Sequence, residues 1–329
     1  MRFYDDDALT FDDVLLRPGY SKLKSRLDAD YTIDAFGYER LAPIMVANMI
    51  DIATPDMWKA LAPLRVIVPF NRINRTLQER VEEAKYAAML KDEYKMPVAA
   101  AVGLDDRAAI TALAPIVDVF FLDVAYAYTE AIFAEVLWIK RTFSDKYLVV
   151  GNVATSDAAC DLRSLKVDYI KCGVGSGAVC LTRRVTGCGV PQLSAVIECA
   201  HEANVISDGG AKSSADCVKA LAAGASFVMC GGLFAGTDET LDDGTGTKIY
   251  RGLASSDAHA NKRGIIPEGI STHVPNKGPA EKVAKTLLYG IRQGMGLVGA
   301  RTLTELREKA VFQRVSYATT IENTPHIKI

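Results

Sequence analysis

The chain has 329 residues, 49% of them apolar, and 38 Lys and Arg against 40 Asp and Glu give a formal net charge of −2. That length is enough for a sizeable core in one large domain or two smaller ones, and the charge balance leaves no electrostatic footprint for nucleic acid. No apolar run reaches the roughly 20 residues of a membrane span, and the acidic start at 1–7 lacks the apolar stretch of a signal peptide, so the expected location is the cytoplasm.

Taken in order, apolar runs recur at 42–48, 65–70, 98–103, 119–124, 147–152, 169–174, 205–208 and 227–232. They are continuous rather than alternating, which suits strands buried on both faces of a parallel sheet. Amphipathic stretches separate them, for example 77–90, 131–142 and 191–203. A further helix from 213 to 223 is capped by Ser213 and closed by Gly224. Eight such units in about 190 residues predict an α/β fold, a parallel (β/α)8 TIM barrel, with a doubly wound open sheet as the alternative. Polar or glycine residues end most strands: Asn48, Asn71, Asp123, Asn152, Gly173, Asp208 and Gly231. In a barrel those ends line the active site.

Two stretches break the pattern. Residues 241–250 are rich in Gly, Asp and Thr and read as a turn or hairpin insertion. Residues 254–269 are polar, carry His259, Lys262 and Arg263, and read as a mobile flap over the barrel mouth or as a solvated linker. The tail, 319–329, is expected to be extended. With no room for an inserted domain between the second and third strands, 1–329 is expected to form one barrel domain.

Seven cysteines, an odd number without a CxxC pair, argue against a disulfide framework and against a zinc site. Cys160, Cys199, Cys217 and Cys230 fall in apolar patterns and read as core filler. Cys172 and Cys188 flank a more informative stretch, and an auxiliary role for them stays open. In 170–184 three glycines at alternating positions, Gly173, Gly175 and Gly177, precede Cys180, Thr182, Arg183 and Arg184. Such a loop brings the backbone close to a ligand and turns N–H groups toward anions and C=O groups toward cations. A thiol presented there, next to positive charge, is a candidate nucleophile. The plainer alternative is a glycine-rich turn with a packed cysteine.

The run Gly-Val-Gly-Ser-Gly-Ala-Val-Cys-Leu-Thr-Arg at 173–183, with Thr186-Gly187 and 191–196, resembles the catalytic-cysteine loop of GMP reductase and IMP dehydrogenase. The resemblance extends to 9–16, 207–210, 234–239, 250–252 and 294–301, nearly the whole chain in order. It implies an NADPH-dependent or NAD-dependent oxidoreductase acting on a purine nucleoside monophosphate, through a Cys180 adduct at purine C2. It further implies a proton relay of Thr182 and Glu268, ribose binding by Asp208, and phosphate binding by backbone N–H groups of Gly210, Gly231 and Gly232 near helix starts with the Tyr250 hydroxyl. Gly252 and Leu253 would meet the purine edge, Met49 and Asn152 would line the nucleotide pocket, and Asp123 would lie between nucleotide and nicotinamide. Carbonyls of Gly175, Gly177 and Cys180 would bind potassium, and the assembly would be a homotetramer. Without the resemblance, Asp208 reads equally as a turn residue, Tyr250 as hairpin packing and Glu268 as a solvated charge. The four histidines have no partner pattern, so no other metal is implied.

The missing inserted domain, the Lys262-Arg263-Gly264 flap without a following tyrosine, and Pro191-Gln192-Leu193-Ser194-Ala195-Val196 resemble the reductase, so GMP to IMP and ammonia is the expected reaction. IMP dehydrogenase, or a purine-nucleotide-binding protein without turnover, is the alternative. The chain departs from the reductase at 69–72, where Asn71-Arg72 stands in place of a His-Lys pair, and at Ala178, where the family carries serine. Residues 267–269 and 290–296 are nearer the dehydrogenase. A deoxynucleotide or another purine monophosphate therefore stays open as the substrate.

Overall fold

The computed structural model describes residues 7–242, 244, 247–256 and 266–323. Seven strands form a parallel sheet in the order Ile44–Val46, Phe227–Cys230, Val205–Asp208, Tyr169–Cys172, Tyr147–Val153, Val119–Asp123 and Ala99–Val102. The segment 66–70 fills the remaining gap. Met45 bridges Ile67 and Phe70 bridges Ala100, both parallel, and the Val46 N–H donates to the Ile67 carbonyl at 2.9 Å. The expected second strand is thus in place but irregular, because Pro69 has no N–H for a ladder. The curled sheet is the expected (β/α)8 barrel.

The strand residues are almost wholly buried, as continuous apolar runs require. Helices cover the outside. Leu77–Tyr94 begins with a capping box of Thr76 and Glu79, and Ser214–Ala222 is capped by the Ser213 hydroxyl. The helix that closes the ring, Ala280–Val298, packs against Ser214–Ala222 and Pro55–Leu61. Between the last barrel strand and this helix lies an insertion, 231–279. Its ribbon pairs Lys248–Arg251 with Ser271–Val274. The hairpin expected within 241–250 therefore finds its second strand beyond the flap. The middle of that flap, 257–265, with His259, Lys262 and Arg263, lies outside the described residues.

The two ends of the barrel differ. At the N-terminal end the hairpin Ile33–Ala35/Tyr38–Leu41 inserts Phe36, 3% exposed. Its ring lies 5.7 Å from Tyr147, 4.7 Å from Tyr169 and 5.9 Å from Phe227, each the first residue of its strand. This end is plugged by aromatic packing, which leaves the polar C-terminal end as the open mouth. A separate two-stranded ribbon pairs Val14–Leu16 antiparallel with Phe312–Arg314. The tail differs from expectation: Ala318–Glu322 is a short helix rather than extended chain. Its Asn323 N–H closes the last turn on the Thr319 carbonyl. Residues 324–329 lie outside the described residues.

Candidate active site

The open end holds a cavity of about 520 Å³, within the range of small-molecule sites. Its floor is built from strand ends. Asp123 ends Val119–Asp123 and Asp208 ends Val205–Asp208, and Lys171 on the strand Tyr169–Cys172 reaches both. The Lys171 ammonium lies 2.6 Å from Asp123 Oδ1 and 2.8 Å from Asp208 Oδ2, and the residue is 3% exposed. Burial alone would pull its pKa down, but the two carboxylates outweigh burial and hold it above the usual lysine value. Asn48 Nδ2 donates to Asp123 Oδ2 at 3.0 Å and Asn152 Nδ2 to Asp208 Oδ2 at 2.9 Å. Asn152 Oδ1 is buried and has no hydrogen-bond partner. An orphaned acceptor costs about 1–3 kcal/mol, so it fits a ligand that brings a donor.

The rim carries the thiol. After Gly173 the chain loops out, and the Cys180 N–H turns back to the Gly177 carbonyl at 3.0 Å. Cys180 is half-buried, and its Sγ lies 3.2 Å from Thr182 Oγ1. The far side of the flap clamps the loop. The Leu181 N–H donates to the Glu268 carbonyl at 2.6 Å and the Ile270 N–H to the Val179 carbonyl at 3.0 Å, and Cys180 forms a bridge with Gly269. Glu268 therefore arrives beside the thiol through backbone pairing. Arg183, which looked available to charge the thiol, donates instead to the carbonyls of Val190 and Val174, and Arg184 is exposed.

At the other end of the cavity Tyr250 comes in from the ribbon, 6% exposed. A Cβ on Gly231 would come within 3.1 Å of both the Tyr250 hydroxyl and Met49 Sδ, so glycine there allows all three to meet. The Phe234 N–H donates to the Gly231 carbonyl at 3.0 Å, so a single turn follows Gly231 rather than the regular helix expected. Gly210, at φ +80, precedes the Ser213 cap and packs on Gln192. Burial and then the nearby Asp208 push the Tyr250 pKa up to about 12. Burial does the same to Tyr38 and Tyr169, helped by Asp118 and Asp168, each to about 12. A phenol with a raised folded-state value contributes stability that is complete below the unfolded value of about 10 and is lost as pH rises through the folded one. Absorbance titration of the phenolate band should show these tyrosines ionising only as the alkaline unfolding transition sets in. Normal titration of all 13 tyrosines near pH 10 in folded protein would contradict their burial.

Every residue given a role by the resemblance lines this one cavity, from Met49, Asp123 and Asn152 to Cys180, Thr182 and Glu268. So do Gly175, Gly177, Asp208, Gly210, Gly231, Gly232, Tyr250, Gly252 and Leu253. Sequence reasoning gave no role to Lys171, which was read simply as part of a strand. Its signal was a charge inside a run otherwise buried on both faces. The N-terminal segment was also underread. Lys219 Nζ donates to the Phe11 carbonyl at 2.8 Å and the Leu9 N–H to Ser194 Oγ at 2.8 Å, which brings Phe11 to the cavity wall. Cys172 is fully buried, and a hydrogen bond with the Cys199 thiol and burial push it up, so it is no nucleophile. Cys188 is exposed and lies off the cavity, while Cys199, Cys217 and Cys230 are core residues and Cys160 is half-buried.

The IMP dehydrogenase/GMP reductase domain family matches residues 8–326. The chain belongs to this family. An inosine-5'-monophosphate dehydrogenase of Aquifex aeolicus is 40% identical over 76% of this chain and 56% of its own length. One of Nitrosopumilus maritimus is 40% identical over 64% of this chain and 49% of its own. One of Staphylococcus aureus, strain Mu50, is 39% identical over 75% and 56%. The chain thus spans about half the length of the curated relatives it matches. Members of the family are purine nucleotide oxidoreductases, and here a thiol, a hydroxyl and two carboxylates line one cavity. No helix among the described residues is long and apolar enough to cross a membrane.

Proposed function

We propose that this chain is an oxidoreductase acting at C2 of a 6-oxopurine nucleoside monophosphate, through a covalent bond to Cys180. One observation carries the reading: a half-buried thiol 3.2 Å from the Thr182 hydroxyl, on a loop pinned by the backbone of Glu268–Ile270, over a floor where one buried ammonium joins two carboxylates. Asp208 accepts the ribose hydroxyls, and Tyr250 with the N–H groups of Gly210, Gly231 and Gly232 holds the phosphate. Asn152 and Met49 line the nucleotide, and Gly252 and Leu253 meet the purine edge.

The relatives bear on the direction. The expectation from the sequence leaned to GMP reductase, whereas relatives about 40% identical carry the name inosine-5'-monophosphate dehydrogenase. They favour conversion of IMP to XMP with NAD. In that reaction the Cys180 thiolate adds to C2 of IMP, and the C2 hydrogen departs as hydride. Water then adds to C2, the C–S bond breaks, and Cys180 recovers its thiol as XMP leaves. Thr182 and Glu268 move the proton of that water. Splitting the displacement into two steps is what a covalent nucleophile contributes. The nicotinamide dinucleotide, when bound, supplies the hydride acceptor, and the polar wall at Asp123 and Arg72 fits its amide and hydroxyl groups. A potassium ion is less well served. Carbonyls of Gly175, Gly177 and Cys180 would hold it, the Gly177 oxygen with the one lone pair left after it accepts the Cys180 N–H, and the Arg183 guanidinium on the nearby Val174 carbonyl adds like charge.

A second reading, GMP reductase with NADPH, is favoured by the absence of a tyrosine between Tyr250 and Tyr289, by the short connection between the second and third strands and by the run 191–196. There the adduct forms on GMP, Thr182 and Glu268 protonate the departing ammonia, and hydride arrives at C2 to release IMP. An absorbance assay at the nicotinamide band separates the two. NADH appearing from IMP plus NAD supports the first, and NADPH lost with GMP supports the second. Silence in both, with IMP still bound, supports a binding protein and overturns the proposal. A homotetramer in the cytoplasm is the assembly and location proposed with this function.

A further inference from the structure

Asp123, Gly151 and Lys171 form one row across three neighbouring strands. Asp123 stands opposite Gly151, and Gly151 opposite Lys171. Residues in one row point to the same face, so Lys171 reaches Asp123 only by passing over position 151. Glycine there is what lets it pass. A Cβ on Gly151 would lie 2.4 Å from Lys171 Cβ and 2.5 Å from its carbonyl oxygen. The same ammonium also meets Asp208, at the end of the strand on the other side of Lys171. Three full or partial charges at this depth are stable only as a set. Asn48 fixes the outer oxygen of Asp123, and Asn152 shares with Lys171 the same oxygen of Asp208. Asp208 Oδ1 takes no part in these bonds.

We propose that Lys171 is a positioning residue that couples the two carboxylates of the cavity floor, one ammonium dividing its hold between Asp123 and Asp208. This rests on the proposed function, in which Asp208 serves the ribose and Asp123 the nicotinamide side. A ligand that engages one carboxylate then alters the hold on the other, so each ligand is felt at the site of its partner. Loss of one carboxylate lets the ammonium draw the remaining one toward itself.

The test measures IMP binding by calorimetry with no dinucleotide present. In the proposed function Asp123 makes no contact with the ribose, yet Asp123→Asn should weaken IMP by about tenfold, the scale of one charge-assisted hydrogen bond. In a Lys171→Met background the same change should add nothing. Lys171→Met should raise KM for IMP and dinucleotide together, and Lys171→Arg, which keeps the charge, should recover most of that loss. A merely structural lysine would lower Tm and leave both KM values alone, which overturns the proposal, as does unchanged IMP affinity in Asp123→Asn. If Lys171→Met fails to fold, the Asp123→Asn and Lys171→Arg measurements decide. If the wild-type protein binds neither IMP nor GMP, the functional reading falls first, and thermal melts of the ligand-free protein decide the coupling. A shared cation makes the losses from Asp123→Asn and Asp208→Asn more than additive, because the second removes the last partner of a buried charge. Additive melts would overturn the shared hold.

Discussion

Replacing Cys180 by alanine is expected to cut kcat by on the order of 10⁴-fold or more, as removing the nucleophile from a catalytic unit does. IMP affinity should change by less than about threefold, because ribose and phosphate are held by other groups. The physical reason is local. Cys180 reaches the rim on a loop whose shape comes from its own backbone bond to Gly177 and from the clamp at Glu268–Ile270, and alanine keeps both. Only the sulfur is lost, with its 3.2 Å contact to Thr182. The check has two halves, turnover by nicotinamide absorbance and a mass shift of the intact protein trapped during turnover. Wild-type protein should carry a purine monophosphate on Cys180, and the alanine variant none. Full activity in the variant would remove the covalent mechanism, and an adduct on Cys188 instead would move it to another thiol.

Replacing Gly173 by alanine should cost roughly 3 kcal/mol of stability, the upper part of the range for single substitutions. It should abolish nucleotide binding as well. Gly173 has φ +151, outside the range that residues with a Cβ prefer. A methyl group there would stand 2.0 Å from the Asp208 carbonyl oxygen, and main chain cannot rotate away as a side-chain tip does. Relief requires the strand ending in Cys172 and the strand ending in Asp208 to part. That movement displaces Asp208 and, seven residues on, Cys180. Denaturant melts read the stability, and calorimetry with IMP reads the site. Wild-type stability with wild-type affinity would mean that the strand ends are looser than their packing indicates. Gly187→Ala is the control. It also has positive φ, +74, but nothing lies within 4 Å of the added methyl, so only backbone strain of about 1 kcal/mol is expected.

The barrel itself was legible in the amino-acid order. Continuous apolar runs can only be strands covered on both faces, and eight of them alternating with amphipathic helices leave few arrangements. The site residues were legible for a related reason. Strand ends in a barrel converge, so the order of residues alone puts Asp123, Asn152, Gly173 and Asp208 at one mouth. The cysteine loop was legible because its glycines, thiol and threonine are contiguous and their spacing is a pattern.

What adjacency in the chain does not encode needed the folded molecule. Lys171 sits in an apolar run and carries no local sign of its two partners, 48 positions before it and 37 after, because barrel register rather than sequence spacing sets that contact. The clamp that brings Glu268 to Cys180 joins segments nearly ninety residues apart through backbone groups, which leave no trace in side-chain identity. The role of Cys172, left open beside the same glycines, was likewise a tertiary matter, since its burial rules it out as a nucleophile. Composition and periodicity thus decide which segments become strands and where the strands end, because hydrophobic burial acts residue by residue. Only closure of the barrel decides which of those ends touch, because hydrogen bonds and ion pairs depend on distances that no single segment contains.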